Sequence, residues 1–314
     1  MPKKIIIDTD CGSDDAWAIA MALNDPNYEI IMMTCVSGNV RCHQAALNCL
    51  VTEELTETYY PPVYEGINDP LVREWVGANE THGNDGLSDL GYVKYKLEIE
   101  KGNAVLKMLE ALRNAKDKEI SIVALGPLTN IAMAIRLEPE TMRKIDKLWV
   151  MGTAGLGTGN VSPVAEFNIW QDPDACKVCL DFNFENLIFV GWDACLDEAM
   201  ITPEEIKKIR DAHELGKFCI DSNKILMDMN VGRFGYACLD MADPAAMAAA
   251  LYNDCIKDMD KYYCEVDLQN GPSYGGVLVD YYHFSGKEPN AYICSKLKVD
   301  KYKEYIFRTL RVKQ

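Results

Sequence analysis

Ile5-Ile6-Ile7-Asp8-Thr9-Asp10-Cys11-Gly12-Ser13-Asp14-Asp15 decides the fold. Three β-branched apolar residues in a row read as a strand buried on both faces. The run Ala16 to Leu23, closed by Asn24-Asp25-Pro26, reads as a helix. A buried strand feeding straight into a helix is the repeating unit of a parallel sheet. The same alternation recurs along the chain. Strands are expected at Glu29–Val36, at Pro61–Tyr64, at Glu119–Leu125, at Lys147–Met151 and at Leu187–Val190. Helices are expected over 42–56, 102–114, 172–181, 203–211, 214–230 and 243–252, and after Gly126–Asn130. From 262 onward the chain reads as β with hairpin signals. The fold class is therefore α/β: one domain over 1–314, an open, mainly parallel, Rossmann-like sheet flanked by helices.

In open sheets of this kind, ligands bind beyond the carboxyl ends of the strands. Asp8, Asp10, Asp14 and Asp15 stand at the first such end, four carboxylates within eight residues. A helix cap accounts for one or two of them. Four packed together repel one another unless a cation sits among them, and oxygen donors suit Ca²⁺ or Mg²⁺. The other strand ends carry Ser37-Gly38-Asn39, Leu125 to Asn130, Met151 to Gly155, and later Asn160, Glu166-Phe167-Asn168 and Asp243-Pro244. Amide- and carboxylate-rich ends of this type suit a polyhydroxylated ligand such as a sugar, although a Gly-Asn pair alone is usually a turn.

The formal net charge of −16 argues against a nucleic-acid or anionic-membrane partner and fits a small substrate with a divalent cation. Only three apolar residues precede Asp8, too few for a signal-peptide core. No apolar run nears the ~18 residues of a membrane span. The twelve cysteines are scattered and read as reduced, buried thiols, and the lone Cys176/Cys179 pair cannot close a zinc site. A cytoplasmic location is expected.

Together, DTDCGSDDA (8–16), SGNV (37–40), ALGPLTN (124–130), NVSPVAEFNIWQDPDA (160–175) and ADPAA (242–246) resemble the inosine-uridine-preferring nucleoside hydrolases. The matches lie in order along nearly the whole chain. The resemblance implies hydrolysis of the N-glycosidic bond of ribonucleosides, purine or pyrimidine, to base and ribose. It implies Ca²⁺ held by Asp10, Asp15, Asp243 and the main-chain carbonyl of Leu125, with Asp10 as general base on a bound water. Asp14, Asn39, Asn160, Glu166, Asn168 and Asp243 would hold the ribose, and Asp8 would support the strand end. It also implies a homodimer or homotetramer. Residues 67–92 and 222–242 are expected to act as lids over the site.

One position departs from the pattern. Many relatives carry a histidine directly before the last metal-binding aspartate, read as the acid that protonates the leaving base; here that residue is Ala242. Of the four histidines, His82 in the 67–92 loop is the best substitute, as catalytic acid or base contact. His43 is a second candidate near the site, while His213 and His283 read as surface. Trp75, Phe234 and Tyr236 are candidates to stack on a base, and Arg233 to contact it. Two other readings compete. A haloacid-dehalogenase-like phosphatase shares only the strand followed by DxD, and Gly12 stands where that pattern wants Thr or Val. A non-catalytic nucleoside or ribose binder would have no use for Asp10 as a base.

Overall fold

The computed structural model describes residues 2–94 and 96–312. Met1, Tyr95, Lys313 and Gln314, inside the expected single-domain span, lie outside the described residues. The strands are β1 (Lys3–Thr9), β2 (Tyr28–Cys35), β3 (Val63–Glu65), β4 (Ile120–Ala124), β5 (Leu148–Met151), β6 (Leu187–Val190), β7 (Ile256–Tyr262), β8 (Cys264–Val266), β9 (Val277–Val279) and β10 (Ala291–Leu297). The helices are α1 (Ser13–Leu23), α2 (Cys42–Thr56), α3 (Asn79–His82), α4 (Ala104–Asn114), α5 (Thr129–Leu137), α6 (Pro139–Met142), α7 (Phe167–Gln171), α8 (Pro173–Phe182), α9 (Pro203–Arg210), α10 (Glu214–Asp221), α11 (Lys224–Phe234), α12 (Ala242–Leu251) and α13 (Val299–Thr309).

Eight strands form one sheet in the order β3-β2-β1-β4-β5-β6-β10-β7, and β8 pairs with β9 in a separate hairpin. Every pairing in the large sheet is parallel except β10 with β7. From β1 the chain winds outward through β2 and β3, then returns to β4 on the other flank of β1 and winds the opposite way. That reversal opens a crevice between the carboxyl ends of β1 and β4. Both faces are covered, as the Ile5–Ile7 run requires. Ile5 and Ile7 pack into the core shared with α1 and α12, whereas Ile6 packs into the core shared with α4, α5 and α8.

Two expected elements differ. The helix read over 214–230 is broken at Ser222-Asn223, because the Asn223 amide donates to the main-chain carbonyls of Ser13 at 3.0 Å and Cys219 at 2.9 Å. The tail read as β ends in helix α13, which buries Tyr302, Tyr305, Ile306 and Thr309 on one face. Tyr305 donates its hydroxyl to Asp25 at 2.8 Å. All twelve cysteines are buried and free. Among the described residues no helix is long and apolar enough to cross a membrane.

Helix α2 carries a buried acid remote from the crevice. Glu53 is 1 % exposed, and its Oε1 has no hydrogen-bond partner. Burial, with Glu54 beside it, raises its carboxyl to about 8. A raised folded-state value means that Glu53 is neutral in the fold while the unfolded chain already ionises. Its contribution therefore falls as pH rises from the ordinary glutamate range through about 8. Glu53→Gln is expected to stabilise the protein by roughly 2–4 kcal/mol at pH 8.5 and by almost nothing near pH 4.5. Denaturant melts at the two pH values check this; equal effects at both would contradict it.

Candidate active site

The acids at the end of β1 converge in the crevice. Asp14, Asp15 and Asp243 each offer a carboxylate oxygen, and these oxygens all lie within 4.8 Å of one another. Helix α1 supplies the first two and α12, packed against it, supplies the third. Thr9 Oγ1 donates to Asp15 Oδ1 at 2.5 Å and the Gly12 N–H donates to Oδ2 at 2.9 Å, which fixes the Asp15 carboxylate. Asp10 lies alongside. It accepts the Asn39 N–H at 2.6 Å, and the backbone closes tightly around it. A Cβ on Gly38 would stand 2.0 Å from Asp10 Oδ2, and one on Gly126 2.7 Å from Oδ1, so neither position has room for a side chain.

Burial first, then the charges of Asp15 and Asp14, hold the Asp10 carboxyl well above the usual range. Asp243 is raised in the same way by burial and by Asp14, Asp15 and Asp10. Asp15 is pushed up to about 6 by burial and Asp14. Asp10 Oδ1, Asp14 Oδ1 and Asp243 Oδ1 are all buried with no hydrogen-bond partner. Converging carboxylates, with an orphaned oxygen kept on each of Asp10, Asp14 and Asp243, make a cluster suited to a hard divalent cation. The tight set is thus Asp14, Asp15 and Asp243. Asp10, expected to share the ion with Asp15 and Asp243, lies outside that set but is charge-coupled to it. Asp8, behind the cluster, accepts Thr34 Oγ1 at 2.6 Å and Asn130 Nδ2 at 2.8 Å, and burial lifts its carboxyl to about 7.

The crevice holds a small cavity of about 100 Å³ that touches Asp14, Asn39, Leu125, Asn160, Glu166, Asn168 and Asp243. Glu166 caps α7, accepting the Asn168 N–H at 2.9 Å, and burial raises it to about 7. The Leu125 carbonyl accepts Asn168 Nδ2 at 2.6 Å, leaving a second lone pair. Asn160 Oδ1 accepts the Phe167 N–H at 2.9 Å.

Residues from both expected lids line the other side: Ala78, Thr81 and His82 from one segment, and Leu226, Met229 and Arg233 on α11 from the other. Ser88 joins the segments, donating to Ser222 O at 2.6 Å and accepting the Ile225 N–H at 3.1 Å. His82 is held by its neighbours. Asn223 Nδ2 donates to two carbonyls and its Oδ1 accepts Ser13 Oγ at 2.8 Å. His82 Nδ1 meets Ser13 Oγ at 2.8 Å and accepts the Ser13 N–H at 3.4 Å, which fixes the ring at the edge of the crevice. Burial lowers its pKa against the opposing pull of Asp14, 3.9 Å away.

Some expected residues lie elsewhere. His43 is exposed and pairs with Glu65 at 2.5 Å. Trp75 donates its indole N–H to Gly38 O at 2.9 Å, with Arg41 4.2 Å over its ring, so it braces the Asn39 loop. Phe234 and Tyr236 are not among the cavity-lining residues, whereas Arg233 is. His213 is half-buried against Leu310 O, and His283 is exposed. Sequence reasoning missed Trp192 and Asp240, which line the cavity beside Ala242. Asp240, 4 % exposed, accepts Asn230 Nδ2 at 2.6 Å and Trp192 Nε1 at 3.3 Å, with Arg233 3.7 Å away. Trp192 stands two residues past the expected strand Leu187–Val190, a carboxyl end with no polar motif to single it out; Asp240 stands three residues before Asp243 without a motif of its own.

Fold and crevice together point to a hydrolase acting on a polyhydroxylated ring. The chain belongs to the inosine-uridine preferring nucleoside hydrolase family, whose model matches residues 5–304. It is 32 % identical over 299 residues to the pyrimidine-specific ribonucleoside hydrolase RihB of Escherichia coli (strain SE11), covering 95 % of this chain and 94 % of that protein. Among solved structures it resembles a plant nucleoside hydrolase (TM-score 0.90, 27 % identity, 99 % of each chain). It also resembles a purine-preferring ribonucleoside hydrolase from Gardnerella vaginalis (TM-score 0.89, 27 % identity, 98 % of each chain). The protein is a ribonucleoside-cleaving enzyme, and neither the phosphatase nor the non-catalytic reading is favoured.

Proposed function

We propose that the enzyme releases purine or pyrimidine bases from ribonucleosides with Ca²⁺ as its resident cation, and that Asp10 is the general base that takes the proton of the attacking water. The observation that carries this reading is the set of orphaned carboxylate oxygens on Asp10, Asp14 and Asp243 in one buried cluster. Asp15, Asp243, Asp10 and the Leu125 carbonyl would hold the ion, with Asp14 at its edge. When bound, such a cation makes water more acidic and engages a sugar diol. Asp14, Asn39, Asn160, Glu166, Asn168 and Asp243 grip the ribose hydroxyls. The negative charge they concentrate under the ring favours the oxocarbenium-like transition state.

At the base end, His82 lines the cavity and is the residue placed to contact or protonate the departing base. Arg233, drawn toward Asp240, is the cationic donor nearest the departing base, and Ala242 leaves that flank open. The segments 67–92 and 222–242 close over the nucleoside. Twelve free thiols fit the reducing cytoplasm. A homodimer or homotetramer is supported by the exposed rings of Tyr282 and Phe284, 72 % and 86 % accessible, and light scattering would check it.

A panel of the common ribonucleosides, assayed for ribose release with Ca²⁺ present, tests the reading. Base release is expected from at least one of them; none from any would overturn it. Ala242→His is expected to change rate or base preference several-fold across the panel. An unchanged profile would show that leaving-group protonation is supplied from elsewhere in the site.

A further inference from the structure

A second cavity, of about 370 Å³, opens at the amino ends of β1, β4 and β5, at the end of the sheet opposite the crevice, and shares no residue with it. Its size is within the usual range of small-molecule pockets. Val123 and Trp149 of the sheet and Leu251 at the end of α12 supply apolar surface. Lys3, Lys4, Lys118 and Lys147 also line it, an unusual concentration of cations on a chain of net charge −16. Lys4 is engaged with Glu119 at 2.8 Å and Lys118 with Glu185 at 2.8 Å. Lys3 and Lys147 have no carboxylate partner among the described residues. They rest over aromatic rings, Lys3 at 5.8 Å from the Tyr28 centroid and Lys147 at 5.7 Å from that of Trp149. Asp146, with no ion-pair partner of its own, is the opposing charge in the lining.

Trp149 is 3 % exposed, so it forms a fixed apolar wall of this cavity rather than a mobile one.

We infer that this cavity binds a small aromatic acid, a planar ring carrying a carboxylate or phosphate. The ring packs against Trp149 and Leu251, and the anion lies between Lys3 and Lys147.

Calorimetry on the full chain, in low salt without divalent cations, tests this with orotate and uridine 5′-monophosphate as the two anionic rings. Uracil supplies the ring alone and inorganic phosphate the anion alone. One anionic ring compound is expected to bind once per chain, at least tenfold tighter than uracil or phosphate, and whichever binds tighter identifies the anion. The double variant Lys3→Glu/Lys147→Glu weakens it at least tenfold and leaves nucleoside hydrolysis unchanged. Lys147→Gln gives a smaller loss in the same direction if the charge reversal does not fold. Uracil binding as tightly as orotate, affinity indifferent to the lysine variants, or no binding of either anionic ring at millimolar concentration would each overturn the assignment.

Discussion

Asp10→Asn is expected to lower kcat for nucleoside hydrolysis by at least ~100-fold while the protein remains folded. The carboxylate has two differently occupied oxygens: Oδ2 accepts the Asn39 N–H at 2.6 Å, while Oδ1 is buried with no partner. Asparagine can keep the first contact through its carbonyl oxygen, but its amide cannot take a proton from water. The isosteric change is required because Gly38 and Gly126 press directly on this side chain. The loss should fall on kcat more than on KM, since the ribose contacts proposed for Asn39, Asn160, Glu166 and Asn168 are left intact. Steady-state kinetics alongside a thermal melt separates this from unfolding. A variant within a few-fold of the wild type would remove Asp10 from the chemistry.

Asp243→Asn should have opposite effects on activity and on stability. Asp243 is raised well above the usual carboxylate range by burial and by Asp14, Asp15 and Asp10. Without a cation the fold confines these repelling groups, and an amide at 243 removes one of them. The metal-free variant is therefore expected to melt higher than the metal-free wild type. It also loses the proposed ion ligand and the proposed ribose contact together, so activity is expected to fall by at least ~100-fold. Function held at the expense of stability is expected where like charges are gathered for a ligand. A variant that melts lower without metal would show that Asp243 stabilises the fold by itself and that the repulsion argument is wrong.

The β-branched run at Ile5–Ile7 and the strand-helix alternation were legible because a sheet covered on both faces demands continuous apolar strands. The acids at 8–15 were legible because no structural role needs four of them. Helix α13 was not, since its buried residues are tyrosines and an isoleucine spaced among lysines and glutamate, which hid the apolar face. The break at Ser222-Asn223 came from a tertiary demand, the reach of Asn223 to Ser13, which leaves no local signal. The placement of His82 depends on Ser13, which is itself tied to Asn223, 210 positions away in sequence. Trp75, a candidate base platform that could equally be a packing residue, packs: its indole N–H lies on Gly38 O and Arg41 sits over its ring. Trp192 and Asp240 reach the crevice through the return of β6 and α11 toward α12, which only the assembled sheet brings about.

The central claim is that the Asp10–Asp14–Asp15–Asp243 cluster must take up a hard cation before the enzyme can cut a nucleoside. It is tested most directly by titrating Ca²⁺ into chelator-stripped protein while following bound ion and released base in the same sample. The account predicts one ion per chain, with base release rising from baseline in step with occupancy. Full base release by the stripped protein, or activity restored with no ion bound at the cluster, would contradict it.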